Sequence, residues 1–272
     1  MGDYSGKVVG IKVYRNDVVV VREGYAPDVE GAIRGEITEL SRKSRRRLAF
    51  VAANTAIQFR TMVTLTYPRE FPSDGLDVKR HLRQFLDWWR KDAGGATYLW
   101  FLEFQGRGAP HIHILFARPW PSKRDDQKAL RFRVATNWYR IVESGDCRHL
   151  AAGTSVERVR SQTASGRYAV KYAMKTRQKQ VPPDYRNVGR FWGASRDVKP
   201  AEPPTIQANE DDVRAILEGW EHAPAEDRTL YRVLYNQAMH FRDYISRGID
   251  KGRRPCYHVP EGHSRPQRPQ AP

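Results

Sequence analysis

The stretch TYLWFLEFQGRGAPHIHILF, residues 97–116, decides the fold of this chain. Its two ends, Thr97–Gln105 and His111–Phe116, are rich in the aromatic and β-branched residues that favour strands. The loop between them, Gly106–Pro110, has the glycine and proline of a turn. The stretch therefore predicts a β-hairpin.

Polar side chains alternate along both strands of this hairpin. In the simplest register, Gln105 is opposite His111 and Glu103 is opposite His113. Because side chains alternate across a strand, both imidazoles and the carboxylate then share one face of the sheet. Mixed nitrogen and oxygen ligands suit Mn²⁺ or Mg²⁺ and leave coordination positions open for a substrate. We therefore expect a metal site formed by His111, His113 and Glu103, with Gln105 as the alternative third ligand.

A second metal site is conceivable from the same histidines. Cys147 and His149 also alternate in the sequence, and could join His111 and His113 in a closed structural zinc site. The spacing departs from that of common zinc fingers, and a closed site has no open position for catalysis. We therefore prefer the open site.

The segments around the hairpin predict an α+β domain. They alternate between strand and helix without the repeated crossovers of a parallel fold, which favours a mostly antiparallel central sheet with helices packed on one face. The predicted elements are strands at Met62–Tyr67 and Thr154–Val159, a helix with Leu82, Phe85, Leu86 and Trp89 on its apolar side, and a helix with Leu130, Val134, Trp138 and Ile141.

The chain divides into four predicted regions. Residues 1–35 form an N-terminal extension with a hairpin of Val8–Tyr14 and Val18–Val21, and residues 36–200 form the main domain. A proline-rich linker, Pro200–Thr205, leads to a small helical appendage over residues 205–250. Residues 251–272 are predicted to be a disordered, basic tail.

Charge and composition limit the classes of partner. The 272 residues carry a formal net charge of +16, which favours polyanions such as nucleic acids. No stretch is long and apolar enough for a membrane span, and the start lacks the layout of a signal peptide. With only two cysteines, we expect a protein of the reducing cytoplasm and no membrane partner.

A second constellation lies in SGRYAVKYAMK, residues 165–175. It predicts a helix on which Tyr168 and Tyr172, four residues apart, present both hydroxyls on one face. Lys171 and Lys175 follow each tyrosine by three residues. A nearby ammonium or metal favours the phenolate that attacks phosphorus, and lysines also neutralise the charge that develops there. A packed amphipathic helix with no chemical role remains the alternative.

Basic residues cluster in two places. Five positive charges fall within Ser41–Arg47, at the start of a predicted helix, and Val156–Pro200 holds eleven Lys or Arg against three Asp or Glu. We expect both clusters to contact single-stranded DNA. A solvated helix face is the alternative for the first cluster, and packing of Phe191 and Trp192 into the core is an equal alternative for the aromatic residues within the second. The candidate DNA-binding residues are Arg45, Arg46, Arg47, Arg158, Arg160, Arg167, Arg190 and Trp192.

Three ordered motifs resemble those of the HUH endonuclease superfamily, specifically the two-tyrosine replication initiators of single-stranded DNA phages and related plasmids. Thr64–Thr66 is similar to the first motif, Pro110–Ile114 to the metal-binding His-hydrophobic-His strand, and Tyr168–Tyr172 to the two-tyrosine motif. Gly189–Gly193 resembles a further signature of the bacteriophage branch. The resemblance covers roughly Ser41–Gly193.

The resemblance implies a rolling-circle mechanism. A divalent metal, Mg²⁺ or Mn²⁺, would polarise a phosphate of single-stranded or extruded origin DNA, and Tyr168 or Tyr172 would attack it. The expected products are a 5′-phosphotyrosyl bond and a 3′-hydroxyl primer, and the second tyrosine allows the circle to be rejoined. No helicase-type phosphate loop is present in the sequence, so a host helicase and polymerase are the expected partners in a bacterial cytoplasm.

Two other functions are compatible with these residues. A transposase or mobilisation relaxase shares the chemistry, but its tyrosine usually stands alone or its histidine motif has a third histidine. A basic DNA-binding module without enzymatic activity would carry His111 and His113 as ordinary surface residues. Metal-dependent cleavage of a labelled single strand separates such a module from an enzyme.

Overall fold

The central sheet has five strands, and every neighbouring pair is antiparallel. The computed structural model describes residues 7–14, 18–22, 37–159 and 180–213. The strands are β1 Val8–Val13, β2 Val18–Arg22, β3 Thr61–Thr66, β4 Tyr98–Phe104, β5 Pro110–Phe116, β6 Thr154–Arg158 and β7 Trp192–Ala194. The order in the central sheet is β6-β3-β5-β4-β7. With helices packed on this sheet, the predicted α+β class is confirmed.

Four α-helices lie entirely within the described part of the chain. They are α1 Arg42–Asn54, α2 Gly75–Trp88, which continues into a π-helical segment Trp89–Gly94, α3 Arg124–Ile141 and α4 Cys147–Ala152. Side chains cap the start of three of them. Ser41 Oγ accepts from the amide of Ser44 in α1, Asp74 Oδ1 from that of Leu76 in α2, and Asp146 Oδ1 from that of Arg148 in α4. The helices built on Leu82 and Leu130 are confirmed as α2 and α3.

Helices cover both faces of the sheet, so the expectation of helices on one face is wrong. On one face α2 and α3 pack against a core that contains Val63, Leu65, Leu102, Ile112 and Ile114. On the other face, Leu48 and Ala52 of α1 pack with Met62, Leu99, Phe101 and Leu115. The reason is that α1, despite its many arginines, has an apolar side that must be buried.

The register of the β4-β5 hairpin differs from the predicted one by two residues. Glu103 is opposite His111, and Phe101 is opposite His113. The turn begins at Gln105, whose carbonyl accepts from the amide of Gly108, and Gly108 has the positive φ of 80° that favours glycine. Because side chains repeat every two residues along a strand, a shift of two leaves every side chain on its predicted face.

The N-terminal hairpin of β1 and β2 is confirmed and is joined to the segment that follows the main domain. Ile11 and Ile206 exchange two backbone hydrogen bonds of 2.8 Å, and Lys12 pairs with Glu202. The predicted linker therefore runs beside β1. The predicted appendage beyond residue 213 and the tail over residues 251–272 lie outside the described residues. In the described part, no helix is both long and apolar enough to span a membrane.

Candidate active site on the histidine face

Three adjacent strands bring polar side chains together on the sheet face that α1 also covers. We call the surface formed by Thr64, Thr66, Glu103, His111 and His113 the histidine face. Thr64 and Thr66 of β3 are opposite His113 and His111 of β5, and Glu103 of β4 is opposite His111. Residues that are opposite each other in neighbouring strands point to the same side of the sheet. The sequence prediction that both histidines share a face with Glu103 is therefore correct, although the pairing is different.

A threonine hydroxyl lies beside the same nitrogen of each histidine. Thr64 Oγ1 is 3.1 Å from His113 Nδ1, and Thr66 Oγ1 is 3.0 Å from His111 Nδ1. The two rings are 4.5 Å apart, centroid to centroid, and nearly perpendicular. When Nδ1–H donates to the hydroxyl, the lone pair is on Nε2, which is the form of imidazole that binds a metal. The arrangement thus suits metal binding through Nε2 of both rings.

The carboxylate of Glu103 contacts one of these rings. Its Oε2 atom is 3.3 Å from His113 Nε2, and both side chains are about 4 % exposed. Phe101 stacks on the His113 ring at 5.1 Å and closes one side of the pair. A carboxylate is kept in such a buried position when it is hydrogen-bonded, paired or bound to a metal.

The amide of Gln105 is turned towards an arginine. Its Oε1 atom accepts from Arg107 Nε at 3.1 Å, while its Nε2 atom is 3.5 Å from His111 Nδ1. The Arg107 guanidinium also donates to the carbonyls of Tyr67 and Pro68, at 2.6 and 2.7 Å. Because the Gln105 oxygen is already engaged, the geometry favours Glu103 as the oxygen donor of the site.

The side chains of His111, His113 and Glu103 are of the chemical types that bind a divalent metal, and two of them also have a suitable spacing. Two cis ligands of an octahedral ion with bonds of about 2.1 Å lie about 3 Å apart, and the 3.3 Å between His113 Nε2 and Glu103 Oε2 is close to this. Within the described residues, no three His, Cys, Asp or Glu side chains already form a ligand cluster. His111 would have to join the other two donors when a metal binds.

The alternative zinc site is not present in the described part of the chain. Cys147 is a free, exposed thiol, and His149 lies two residues further along α4 rather than along a strand. The Nε2 atom of His149 donates to the carbonyl of Thr66 at 2.7 Å. A ring nitrogen that carries this proton cannot bind a zinc ion at the same time.

The candidate nucleophiles cannot be placed. Tyr168, Tyr172, Lys171 and Lys175 lie outside the described residues, as do the candidate DNA contacts Arg160 and Arg167. The predicted helix over these tyrosines, and its position relative to the histidine face, therefore stay predictions.

The other candidate DNA contacts differ in exposure. Arg47, Arg158 and Arg190 are exposed, Arg46 is half-buried, and Arg45 is only 3 % exposed. Arg45 is thus part of the contact between α1 and the rest of the domain. The three exposed guanidinium groups are the ones that a DNA strand could reach without rearrangement of the protein.

Trp192 connects α1 to the histidine face. Its Nε1–H donates to Ser44 Oγ of α1 at 2.9 Å. In the sheet it is opposite Phe101, whose ring stacks on His113. The arginine-rich helix and the histidines therefore belong to the same side of the molecule.

Several supporting residues were not found from the sequence. The hydrogen bonds from Thr64 and Thr66, the position of Arg107 and the bond from His149 to Thr66 all depend on strand pairing or on contacts between distant segments. Of these residues, only Thr64 and Thr66 were indicated by the sequence, because Thr64–Thr66 resembles the first motif of the family. That resemblance did not predict their contact with the histidines.

Comparison with known families gives one result. Residues 60–177 match the family model of replication-associated protein ORF2/G2P. The match covers less than half of the chain, and it includes β3, both histidines and both tyrosines of the predicted motif. It supports a role in DNA replication. No curated protein and no solved structure matches the chain.

Proposed function

We propose that this protein initiates rolling-circle replication by nicking and rejoining single-stranded origin DNA. The observation that carries the proposal is the pair of threonine-held imidazoles beside the buried Glu103, within the segment that matches the replication-associated family. Metal-assisted cleavage requires nitrogen and oxygen donors on one face, and this group of side chains supplies them.

The site residues have distinct roles in this proposal. His111, His113 and Glu103 hold a divalent ion, Mg²⁺ or Mn²⁺, which when bound polarises the scissile phosphate as a Lewis acid. Thr64 and Thr66 orient the imidazoles through Nδ1. These side chains thereby also fix where the phosphate is placed relative to the sheet.

The chemical step belongs to the tyrosines of the predicted helix. The phenol oxygen of Tyr168 or Tyr172 attacks the phosphorus and loses its proton, and the bond from phosphorus to the 3′-oxygen breaks. The DNA 5′ end is then joined to the tyrosine, and the 3′-oxygen takes up a proton and primes synthesis. Lys171 and Lys175 stabilise the negative charge that develops on the phosphate.

Two tyrosines permit a complete cycle. After one round of copying, the second tyrosine cuts the regenerated origin, and the released 3′-hydroxyl attacks the first phosphotyrosyl bond to close the circle. The bond energy is conserved, so that ligation needs no ATP. Strand separation and synthesis are left to a host helicase and polymerase in the cytoplasm, and the origin is single-stranded or extruded.

The test uses single-stranded oligonucleotides that tile the DNA flanking the protein's own gene, incubated with the full chain and Mn²⁺. Denaturing electrophoresis then detects a cut strand and a protein–DNA adduct. We expect both products with the unaltered chain and with the control Tyr98→Phe, and neither with the double variant Tyr168→Phe/Tyr172→Phe. An oligonucleotide that is bound but never cut would show a DNA-binding module, and an adduct in the double variant would refute the nucleophile assignment.

A further inference from the structure

One backbone carbonyl at the end of β3 is held by two side chains from outside the sheet. The carbonyl of Thr66 accepts from Trp138 Nε1 at 2.8 Å and from His149 Nε2 at 2.7 Å. The amide of the same residue donates to the carbonyl of Gly153 at 2.8 Å. Both polar groups of the Thr66 backbone are therefore fixed.

The side chain of this residue reaches the candidate active site. Thr66 Oγ1 is 3.0 Å from His111 Nδ1. Threonine is stiff about its first side-chain bond, so the position of its hydroxyl follows closely from the position of its backbone. Whatever fixes the backbone of Thr66 consequently also fixes the hydroxyl that orients His111.

The hydrogen bond from His149 goes beyond what the carbonyl needs. Trp138 alone already gives the Thr66 carbonyl a partner. Among the described residues, the other ring nitrogen of His149, Nδ1, is buried without a hydrogen-bond partner. An apolar ring would fill the same space and leave no buried nitrogen unsatisfied. A histidine rather than an apolar residue is expected at this position if the Nε2–H donor is needed to hold the Thr66 carbonyl.

The surroundings of His149 hold the ring in place. A Cβ atom added at Gly153 would lie 2.3 Å from His149 Nε2, so the backbone closes against the ring. The Tyr139 ring lies 6.4 Å from the His149 ring, centroid to centroid, with the ring planes 25° apart. The donor is thus rigidly aimed at the Thr66 carbonyl.

We propose that His149 is a positioning residue which, through the Thr66 carbonyl and hydroxyl, holds His111 in its metal-binding orientation. The proposal rests on the proposed function of the histidine face. It assigns no contact between His149 and DNA or metal. It predicts that His149 affects His111 but not His113, whose Nδ1 is held by Thr64 instead.

The test compares His149→Phe, which keeps a ring but removes the donor, with His149→Gln, whose amide nitrogen takes the place of Nε2. The control is His81→Phe, because His81 bonds the hydroxyl of Tyr67 and not Thr66. Two readouts are needed: the ¹⁵N NMR signals of the His111 and His113 side chains without metal, and the affinity for Mn²⁺ by calorimetry.

We expect His149→Phe to shift the His111 signals and leave those of His113 in place. A residue that hydrogen-bonds a metal ligand typically contributes 10–100-fold to the metal affinity. His149 acts on the ligand His111 only through Thr66, so we expect the affinity of His149→Phe for Mn²⁺ to be about tenfold weaker. His149→Gln should recover most of it, and His81→Phe should not change it. Unchanged His111 signals in folded His149→Phe, or equal shifts at both histidines, would overturn the proposal.

A second pair of variants covers the case in which His149→Phe does not fold. Thr66→Val keeps the shape of the side chain but removes the hydroxyl, and should weaken Mn²⁺ binding at least as much as loss of the His149 donor. Adding His149→Leu, a second variant without the donor, to Thr66→Val should then weaken Mn²⁺ binding no further, because both act along one path. Additive losses would contradict that path. If the unaltered chain binds no Mn²⁺, the proposed function fails instead.

Discussion

The hydroxyl of Thr64 lies 3.1 Å from His113 Nδ1, across the pairing of β3 with β5. The opposite nitrogen of the same ring faces Glu103. Thr64 therefore orients the ring through Nδ1, and Nε2 is directed towards the carboxylate of the neighbouring strand, where a shared metal would bind. A side chain held in this way loses little conformational freedom when it binds a metal, which increases its affinity.

Thr64→Val tests this hydroxyl. The substitution keeps the shape of the side chain and removes the partner of His113 Nδ1, so we expect the affinity for Mn²⁺ to fall about tenfold, as for other partners of metal-bound histidines. Thr64→Ser should retain most of the affinity. The control is Thr61→Val, on the same strand, which removes a bond to the Arg118 carbonyl instead. Equal losses in Thr64→Val and Thr61→Val, measured by calorimetry, would show a general effect on the sheet.

The oxygen ligand is tested by exchanging the two candidates. Glu103→Gln removes the buried charge at nearly constant shape, and should lower Mn²⁺ affinity by more than about 100-fold, beyond the range for partners of ligands. Gln105→Ala should lower it by less than about tenfold, because Gln105 only neighbours His111. The reverse order of the two losses, measured in the same titration, would make Gln105 the ligand.

For His111, His113 and Glu103, the sequence predicted the shared face of the sheet but not the residue opposite each of them. Alternation along a strand places His111, His113 and Glu103 on one side whatever the register, provided that the shift is even. The register itself depends on where the turn closes, and the positive φ of Gly108 sets this. Two glycines in the loop offered more than one such position.

Contacts between distant segments could not be predicted. His149 meets Thr66 across 83 positions of the sequence, and the alternation of His149 with Cys147 gave no indication of this contact. Strand β7 has three residues, which is too short to show a period of two. Its place beside Phe101 follows from packing of the whole domain.

The stability of the protein should depend on the ionisation of Lys79. This lysine donates to the Val188 carbonyl and lies over the Trp100 ring, and burial lowers its pKa to about 8 from the ordinary 10.5. Between these two values the unfolded chain binds more protons than the folded chain, so this group adds stability as pH rises. We expect a gain of roughly 1–3 kcal/mol from pH 7.5 to pH 10 relative to Lys79→Met.

Urea unfolding of both proteins at each pH measures this gain. The comparison with Lys79→Met cancels the tyrosines, because Tyr67 and Tyr185, whose pKa values burial raises, are present in both chains. A constant difference in unfolding free energy across this pH range would show that Lys79 keeps its ordinary pKa.

Gly75→Ala should destabilise the domain strongly. A Cβ atom at this position would lie 2.2 Å from the Asn187 carbonyl oxygen and 2.8 Å from Val188 Cα, both backbone atoms that cannot rotate away. Separating α2 from this segment should cost about 3 kcal/mol, the upper range for overpacking. Gly106→Ala is the matched control, since nothing lies within 4 Å of its added Cβ, and it should change the unfolding free energy by less than about 0.5 kcal/mol. Similar values for both variants would contradict the close approach.

Arg47→Ala tests whether α1 contacts the phosphate backbone. Arg47 is exposed on α1, the arginine-rich helix on the histidine face. The control residue, Arg80, is exposed on α2, which packs on the opposite face of the sheet, and Arg80 pairs with Asp77. Each phosphate contact with single-stranded DNA contributes about 0.7 to the slope of log affinity against log salt. Binding of a fluorescent oligo-dT strand, measured by anisotropy at several salt concentrations, should lose about that much slope in Arg47→Ala. Arg80→Ala should keep the slope of the unaltered chain, and equal slopes in all three proteins would exclude Arg47 from the interface.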